Sequence, residues 1–478
     1  MNKIFKLLGL LLILSFVTAC SDDTLEEINK DKNNPADVPS KLIISDVITR
    51  TAFTVTGSDF AFYSSVYVEH NVGIYNQMYN AEIRAGEPIS STTYNNMWGA
   101  AYENLYNLKL IIEKTSEGGS EEGNTQVLGM AQILTAYNLA ILTDLMGDVP
   151  YSEGLQPGII FQPKLDKQED LYNQIFTLLD NAVVNLAAET LYPSVGGQDF
   201  LFGGNVDLWT KFAKGLKARY TARLAIRNGG QWQQVIDNAN SAFAQGENAA
   251  FSFNGSSTIN PFYAFFTDRD YFGASQSLHE KLVSLNDPRD NAFFMPYPGK
   301  TELIFAPNGT TSQLQGHYGV SAIMAPDAPI YLMSYHEIEF LKAEAYARLN
   351  QLPEAKTALE NAIKAAFAKI GLGEEDATTY FTNEVSARFD SNPLKEIMLQ
   401  KYIAFFEEES IEAYNDIRRW QAMGENYITL SNPLNSSQFP QRFTYGADDV
   451  TTNTNITNAY GDGTYVYKEK VWWAGGNR

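Results

Sequence analysis

Cysteine is almost missing from this chain of 478 residues: Cys20 is the only one. No disulfide can form within the chain, so packing has to hold the fold together. Histidine is nearly as scarce, with four widely scattered residues, His70, His279, His317 and His336. His279-Glu280 and His336-Glu337 begin like a zincin helix, but Val283 and Phe340 stand where the second histidines belong. That removes the paired ligands such a site needs, and a structural role is the simpler reading for each histidine. Positive charge is also short: 35 Lys and Arg against 56 Asp and Glu leave a net charge of −21. So acidic a surface repels phosphate backbones, which excludes nucleic acid as a partner. The sequence has no G-x-S-x-G elbow and no G-x-x-x-x-G-K phosphate loop. Nothing in it calls for a metal or cofactor. Carboxylate pairs for glycoside hydrolysis can be drawn anywhere among so many acids, and only their separation in space would select one.

Long apolar runs are missing too, except at the start. Lys3 and Lys6 precede "LLGLLLIL" (7–14), and Thr18-Ala19 lead to Cys20. A charged start, a short apolar core and small residues are the parts of a secretory signal, read here as residues 1–19. "VTAC" resembles a bacterial lipobox, in which Cys20 becomes the lipid-bearing N-terminus. Several acyl chains hold a protein firmly where one holds weakly. Asp22 and Asp23 resemble the acidic signal that sends some lipoproteins to the cell surface. Residues 20–41 are polar, charged and proline-containing, and read as a tether spanning roughly 25 Å if flexible. No later segment has 18 consecutive apolar residues, so none reads as a membrane span.

The remainder, 42–478, reads as one mainly helical domain. Trp98, Ala101, Leu105, Leu108 and Ile112 recur at helical spacing. Val127 to Met146 is apolar on nearly every face, as a central helix would be, and stops at Gly147. A helical pair is expected over 171–227 and another over 334–368, the second opened by a Ser334/Glu337 capping box. Ala343, Tyr346, Ala355, Leu359 and Ala362 fit the packing positions of a tetratricopeptide repeat, although Glu339 and Lys342 replace its Trp and Leu. Residues 250–333 and 425–478 carry Gly, Pro, Asn and aromatics without sustained period and read as loop-rich insertions. The acidic runs "EEGN" and "FEEES" read as solvated faces.

Several segments in order carry a family likeness: "INKDKNNPADVP", "DLMGDVPYSE", "WTKFAKGLKARYTARLA", "SYHEIEFLKAEAYARLNQLPEAKTALENAI" and "EAYNDIRRWQ". Together they resemble the SusD/RagB family of Bacteroidetes outer-membrane lipoproteins, in its SusD-like branch. The resemblance implies a tetratricopeptide-like helical scaffold with a loop-rich, irregular ligand-binding half. It also implies a non-enzymatic protein that captures glycan, or less commonly peptide, and lids a SusC-like TonB-dependent transporter.

Binding of this kind needs aromatic platforms for sugar C–H faces and directed amides, acids or arginines for hydroxyls. Two stretches supply them. In "HNVGIYNQMYNAEIRAGEPISSTTYNNMWG" the candidates are Tyr75, Tyr79 and Trp98; packing between helices is the alternative for all three, and is preferred for Trp98 because it opens an apolar stripe. In "NPFYAFFTDRDYFG" they are Tyr263, Phe265, Asp268, Arg269 and Tyr271, with Tyr297 a weaker addition. Asp416, Arg418 and Arg419 read as buried pairs, and Trp472-Trp473 as a fastening for the C-terminus. A lipid-anchored glycoside hydrolase and a tetratricopeptide-type assembly adaptor remain the alternative functions.

Overall fold

The computed structural model describes residues 38–85 and 91–478. The signal, Cys20 and the tether up to residue 37 lie outside the described residues. Ser40 and Lys41, read as the end of the tether, already belong to helix α1 (Ser40–Arg50). The amide of Ser40 donates to Glu121 Oε1 at 2.8 Å, which fastens the start of the body.

The scaffold is a succession of packed helices. α2 (Asp59–Tyr67) and the short α3 (Asn76–Glu82) are followed by the long α4 (Asn95–Thr115) and α5 (Thr125–Met146). Next come α6 (Gln168–Ala187), α7 (Val206–Arg223) and α8 (Trp232–Ala239). α4 packs on α5, α5 on α6, α6 on α7, and α7 on α8. The apolar content of α5 is explained by its place: it is long and apolar enough to cross a membrane, yet nearly all of it is buried inside the body. Gly147 ends it with φ +84°, a left-handed conformation that glycine adopts without strain.

The expected later pair is α11 (Tyr335–Arg348) and α12 (Leu352–Lys369), joined through Asn350 at φ 60°. Ala343, Ala355, Leu359 and Ala362 are all buried, small residues letting the helices approach closely. The capping box is only half made. The Glu337 amide donates to Ser334 Oγ at 3.2 Å, but the Glu337 carboxylate is taken by Arg219 of α7. An ion pair with a buried guanidinium outcompetes a neutral backbone amide.

Before that pair, 250–333 is loop-rich but not without helix. α9 (Pro261–Arg269) starts at an Asn260 cap with Pro261 in its first turn, and α10 (Gln276–Ser284) starts at a Ser275 cap. Each has too few turns for a hydrophobic period to show. Among the described residues there are three two-stranded antiparallel sheets: β1 (Asn71–Gly73) with β3 (Phe272–Ala274), which ties the irregular half to the scaffold; β2 (Ala249–Phe251) with β6 (Ile330–Met333), which joins the two ends of that half; and β4 (Phe294–Met295) with β5 (Val320–Ser321), within it.

After α12 come α13 (Glu374–Tyr380), α14 (Pro393–Ala404) and α15 (Ser410–Ala422). Between α7, α11, α14 and α15 lies a buried ionic network. Arg419 holds Glu344 through two bonds of 2.7 and 2.6 Å, Lys401 meets Asp416 at 2.6 Å, and Arg223 pairs with Glu412. Burial pushes Asp416 up, but Lys401 and Arg419 outweigh it and hold the carboxyl at about 2. Asp416, Arg418 and Arg419 are therefore buried partners, as their sequence context suggests. Trp473 is buried as well, with Arg223 and Arg418 within 5.4 and 4.9 Å of its ring, and fastens the C-terminus.

"FEEES" is not a solvated face. Glu407, Glu408 and Glu409 are all buried. Lys369 pairs with Glu408 and Glu409 at 2.9 and 3.0 Å, and Asn71 of β1 donates to Glu407 at 3.0 Å. Sequence alone does not reveal that a lysine 40 residues before Glu409 pairs with two members of such a run.

Candidate ligand-binding site

The β1–β3 pairing decides which aromatics meet. Val72 lies opposite Gly273, and the Ile74 amide extends the ladder by donating to Tyr271 O at 2.8 Å. Gly73 is required here, because a Cβ at this position would stand 1.9 Å from the Met78 carbonyl oxygen. Two residues on, Tyr75 thereby lands beside Tyr271, with ring centroids 5.7 Å apart and planes at 40°. Phe265 meets Tyr271 edge-on at 5.6 Å. Phe265 is backed by Phe62 of α2 at 4.6 Å, which fixes its ring.

Tyr75 is 37% exposed, while Tyr271 is buried and Phe265 half-buried. Polar groups surround the rings. Asn76, held at φ 46°, donates from Nδ2 to the Tyr271 hydroxyl at 3.1 Å. Its amide points to Gln313 Oε1 at 3.4 Å. Gln315 Nε2 donates to Arg269 O at 2.7 Å, and the Gly316 amide to Asp270 Oδ2 at 2.7 Å. Burial pushes Asp270 up, with the Gly316 amide and Tyr297 hydroxyl offsetting part of that effect. Asp268, Arg269, Gln77 and Asn80 are exposed, and Tyr79 and Tyr263 half-buried.

The structure thus joins Tyr75, Tyr271 and Phe265 in one surface, with Asp268 and Arg269 at the C-terminal end of α9. Tyr79 lies on α3 one turn beyond Tyr75. Tyr263 packs against the core. Trp98 does not join them. It is buried against Tyr102 and Tyr445, its Nε1 donates to Asp449, and a Cβ on Gly446 would strike its ring at 2.5 Å. Helix packing is its role in this structure, in line with the apolar stripe it opens. The 313–316 loop is not singled out by sequence reasoning; its signal is the amide-rich "TSQLQG", which has no regular period.

A rigid layer lies behind the surface. Glu69, at φ 62°, accepts from Ser277 Oγ and from the amides of Ser431 and Asn432 at 2.5, 2.8 and 2.7 Å. Glu82 accepts from the Gly309 and Gly73 amides at 2.5 and 3.2 Å. Two buried carboxylates therefore bind the 69–82 segment to the start of α10 and to two distant loops. No group of three or more His, Cys, Asp or Glu among the described residues is placed to hold a metal. Three clefts of 310–400 Å³ lie elsewhere on the body.

Fold and site together define a helical-pair scaffold that displays an aromatic surface edged with amides. A sequence profile for the SusD-like family, described as starch-binding and associating with the outer membrane, matches residues 32–446. The chain belongs to this family. A solved SusD/RagB family protein from Bacteroides thetaiotaomicron is 43% identical, with a TM-score of 0.87 over 92% of this chain and 100% of that one. A chitin-binding protein (22% identity, TM-score 0.72, covering 90% of this chain and 100% of its own) shares the fold. So does a chitin-binding SusD homologue from Flavobacterium johnsoniae (21%, 0.69, 91% and 98%). No curated protein matches the chain.

Proposed function

We propose that this protein is a cell-surface lipoprotein, anchored through Cys20, that captures oligosaccharide and delivers it unaltered to a SusC-like TonB-dependent transporter. The observation that carries the reading is the junction of Tyr75, Tyr271 and Phe265, set by the pairing of two strands far apart in sequence. A pyranose has an apolar C–H face and a hydroxyl rim; an exposed phenol ring covers the first, and neighbouring amides address the second. Family membership supports a glycan over a peptide, because the family is described as starch-binding. Its description as associating with the outer membrane supports the anchor and the transporter. The surface offers rings and amides, groups suited to holding a sugar, with Asp268 and Arg269 at its edge.

Migration of the full chain in native gels cast with neutral polysaccharides tests capture: retardation is expected, and its loss in Tyr75→Ala. Release of shortened products would instead identify a hydrolase. Solubilised from outer membranes, the tagged chain is expected to bring down a large β-barrel, and mass spectrometry to find acyl chains on Cys20.

A further inference from the structure

The β2–β6 pairing builds a second concavity, separate from the aromatic surface. It sets Tyr331 opposite Ala250 and brings the 245–248 turn against the start of α11, where the Tyr335 amide donates to Asn248 Oδ1 at 2.8 Å. α12 closes the other side. The resulting cleft has a volume of about 400 Å³, and none of the residues lining it belongs to the Tyr75 surface. That volume lies within the range of small-molecule sites, roughly 300–1,000 Å³.

The chemistry of its lining selects a ligand class. Two phenol rings, Tyr331 and Tyr335, are half-exposed along it. The ammonium of Lys369 at the cleft is fully committed, to Glu408, Glu409 and the Ala404 carbonyl, and so offers no free cation. His336 is likewise engaged, through Nε2 with Glu409 at 2.6 Å. The rim carries the amides of Gln245 and Asn248 and the charges of Lys364 and Glu374, 3.6 Å apart, with Lys364 also paired to Glu360 at 2.9 Å. A charged ligand would find these groups already compensated by one another. A neutral ligand with hydroxyls that both donate and accept can use the ammonium, the carboxylate and the amides together, while its C–H faces lie on the rings. We infer that this cleft is a second binding site for neutral saccharide, taking one or two pyranose units of a chain.

Hydrogen exchange of the full chain, read by mass spectrometry, tests this with malto-, cello-, chito-, manno- and xylohexaose as probes. At least one hexaose is expected to slow exchange in peptides covering 244–250 and 364–375, in the wild type and in Tyr75→Ala alike. Asn248→Ala combined with Tyr335→Ala should lose that protection while retaining any at 72–80. If this double variant does not fold, Lys364→Met at the rim is expected to weaken the same protection. No response in these peptides to any hexaose overturns the inference; if 72–80 still responds, the proposed function survives. Silence in both regions overturns both. Protection of the cleft that disappears with Tyr75→Ala would also overturn it, since one site would then account for the whole response.

Discussion

Tyr75 is the ring of the three with the most surface open to solvent, and Tyr271 and Phe265 hold it in place rather than compete with it for ligand. Tyr75→Ala should therefore weaken glycan binding about tenfold, or ~1.4 kcal/mol, and leave the melting temperature nearly unchanged. Trp98→Phe should do the opposite: it removes a partly buried hydrogen bond to Asp449, costs about 1 kcal/mol of stability, and leaves affinity unaltered. Glu407 gives a pH signature. Burial pushes its carboxyl up to about 8 against the pull of the Asn71 amide. In the folded protein it keeps its proton up to that pH, whereas the unfolded chain loses it near 4.5. This group therefore lowers stability progressively as pH rises from 4.5 towards 8, and no further above that. A series of melting temperatures across that window should fall less steeply in Glu407→Gln than in the wild type.

Among the elements, those with many turns are legible in the sequence. The helix ending at Met146 and the α11–α12 pair follow from apolar spacing, caps and breakers, because each repeats its signal over three turns or more. β1 and β3 repeat theirs over three residues, too few to read, and their register depends on a partner on the far side of the chain. For the same reason Tyr75, Tyr271 and Phe265 stand out singly as aromatics in polar company, but not as neighbours. The Glu337 carboxylate escapes its expected role because the sequence shows the local cap and hides Arg219 of α7. Two substitutions probe this scale. Gly73→Ala, whose Cβ would collide with the Met78 carbonyl, should displace α3 and lower both stability and glycan affinity. Arg419→Met takes one of two cationic partners from both Glu344, which keeps Arg348, and Asp416, which keeps Lys401, and should cost about 3 kcal/mol in denaturant unfolding without touching the glycan surface.

At the scale of the whole molecule, one half supplies rigidity and the other supplies contact. The stacked helices bury a continuous core from α1 to α15, and the β1–β3 sheet joins the irregular half to it. An acidic body with a net charge of −21 resists association with other acidic surfaces, so the contacts it does make are set by local chemistry. The account rests on Tyr75 and its neighbours holding a neutral oligosaccharide without changing it. Calorimetric titration of the full chain and of Tyr75→Ala with the neutral hexaoses, followed by chromatography of the recovered sugar, tests this most directly. Saturable binding to at least one hexaose, about tenfold weaker in the variant and with the sugar recovered intact, is the predicted result. Equal affinity in the two proteins, or shortened sugar in the eluate, would contradict it.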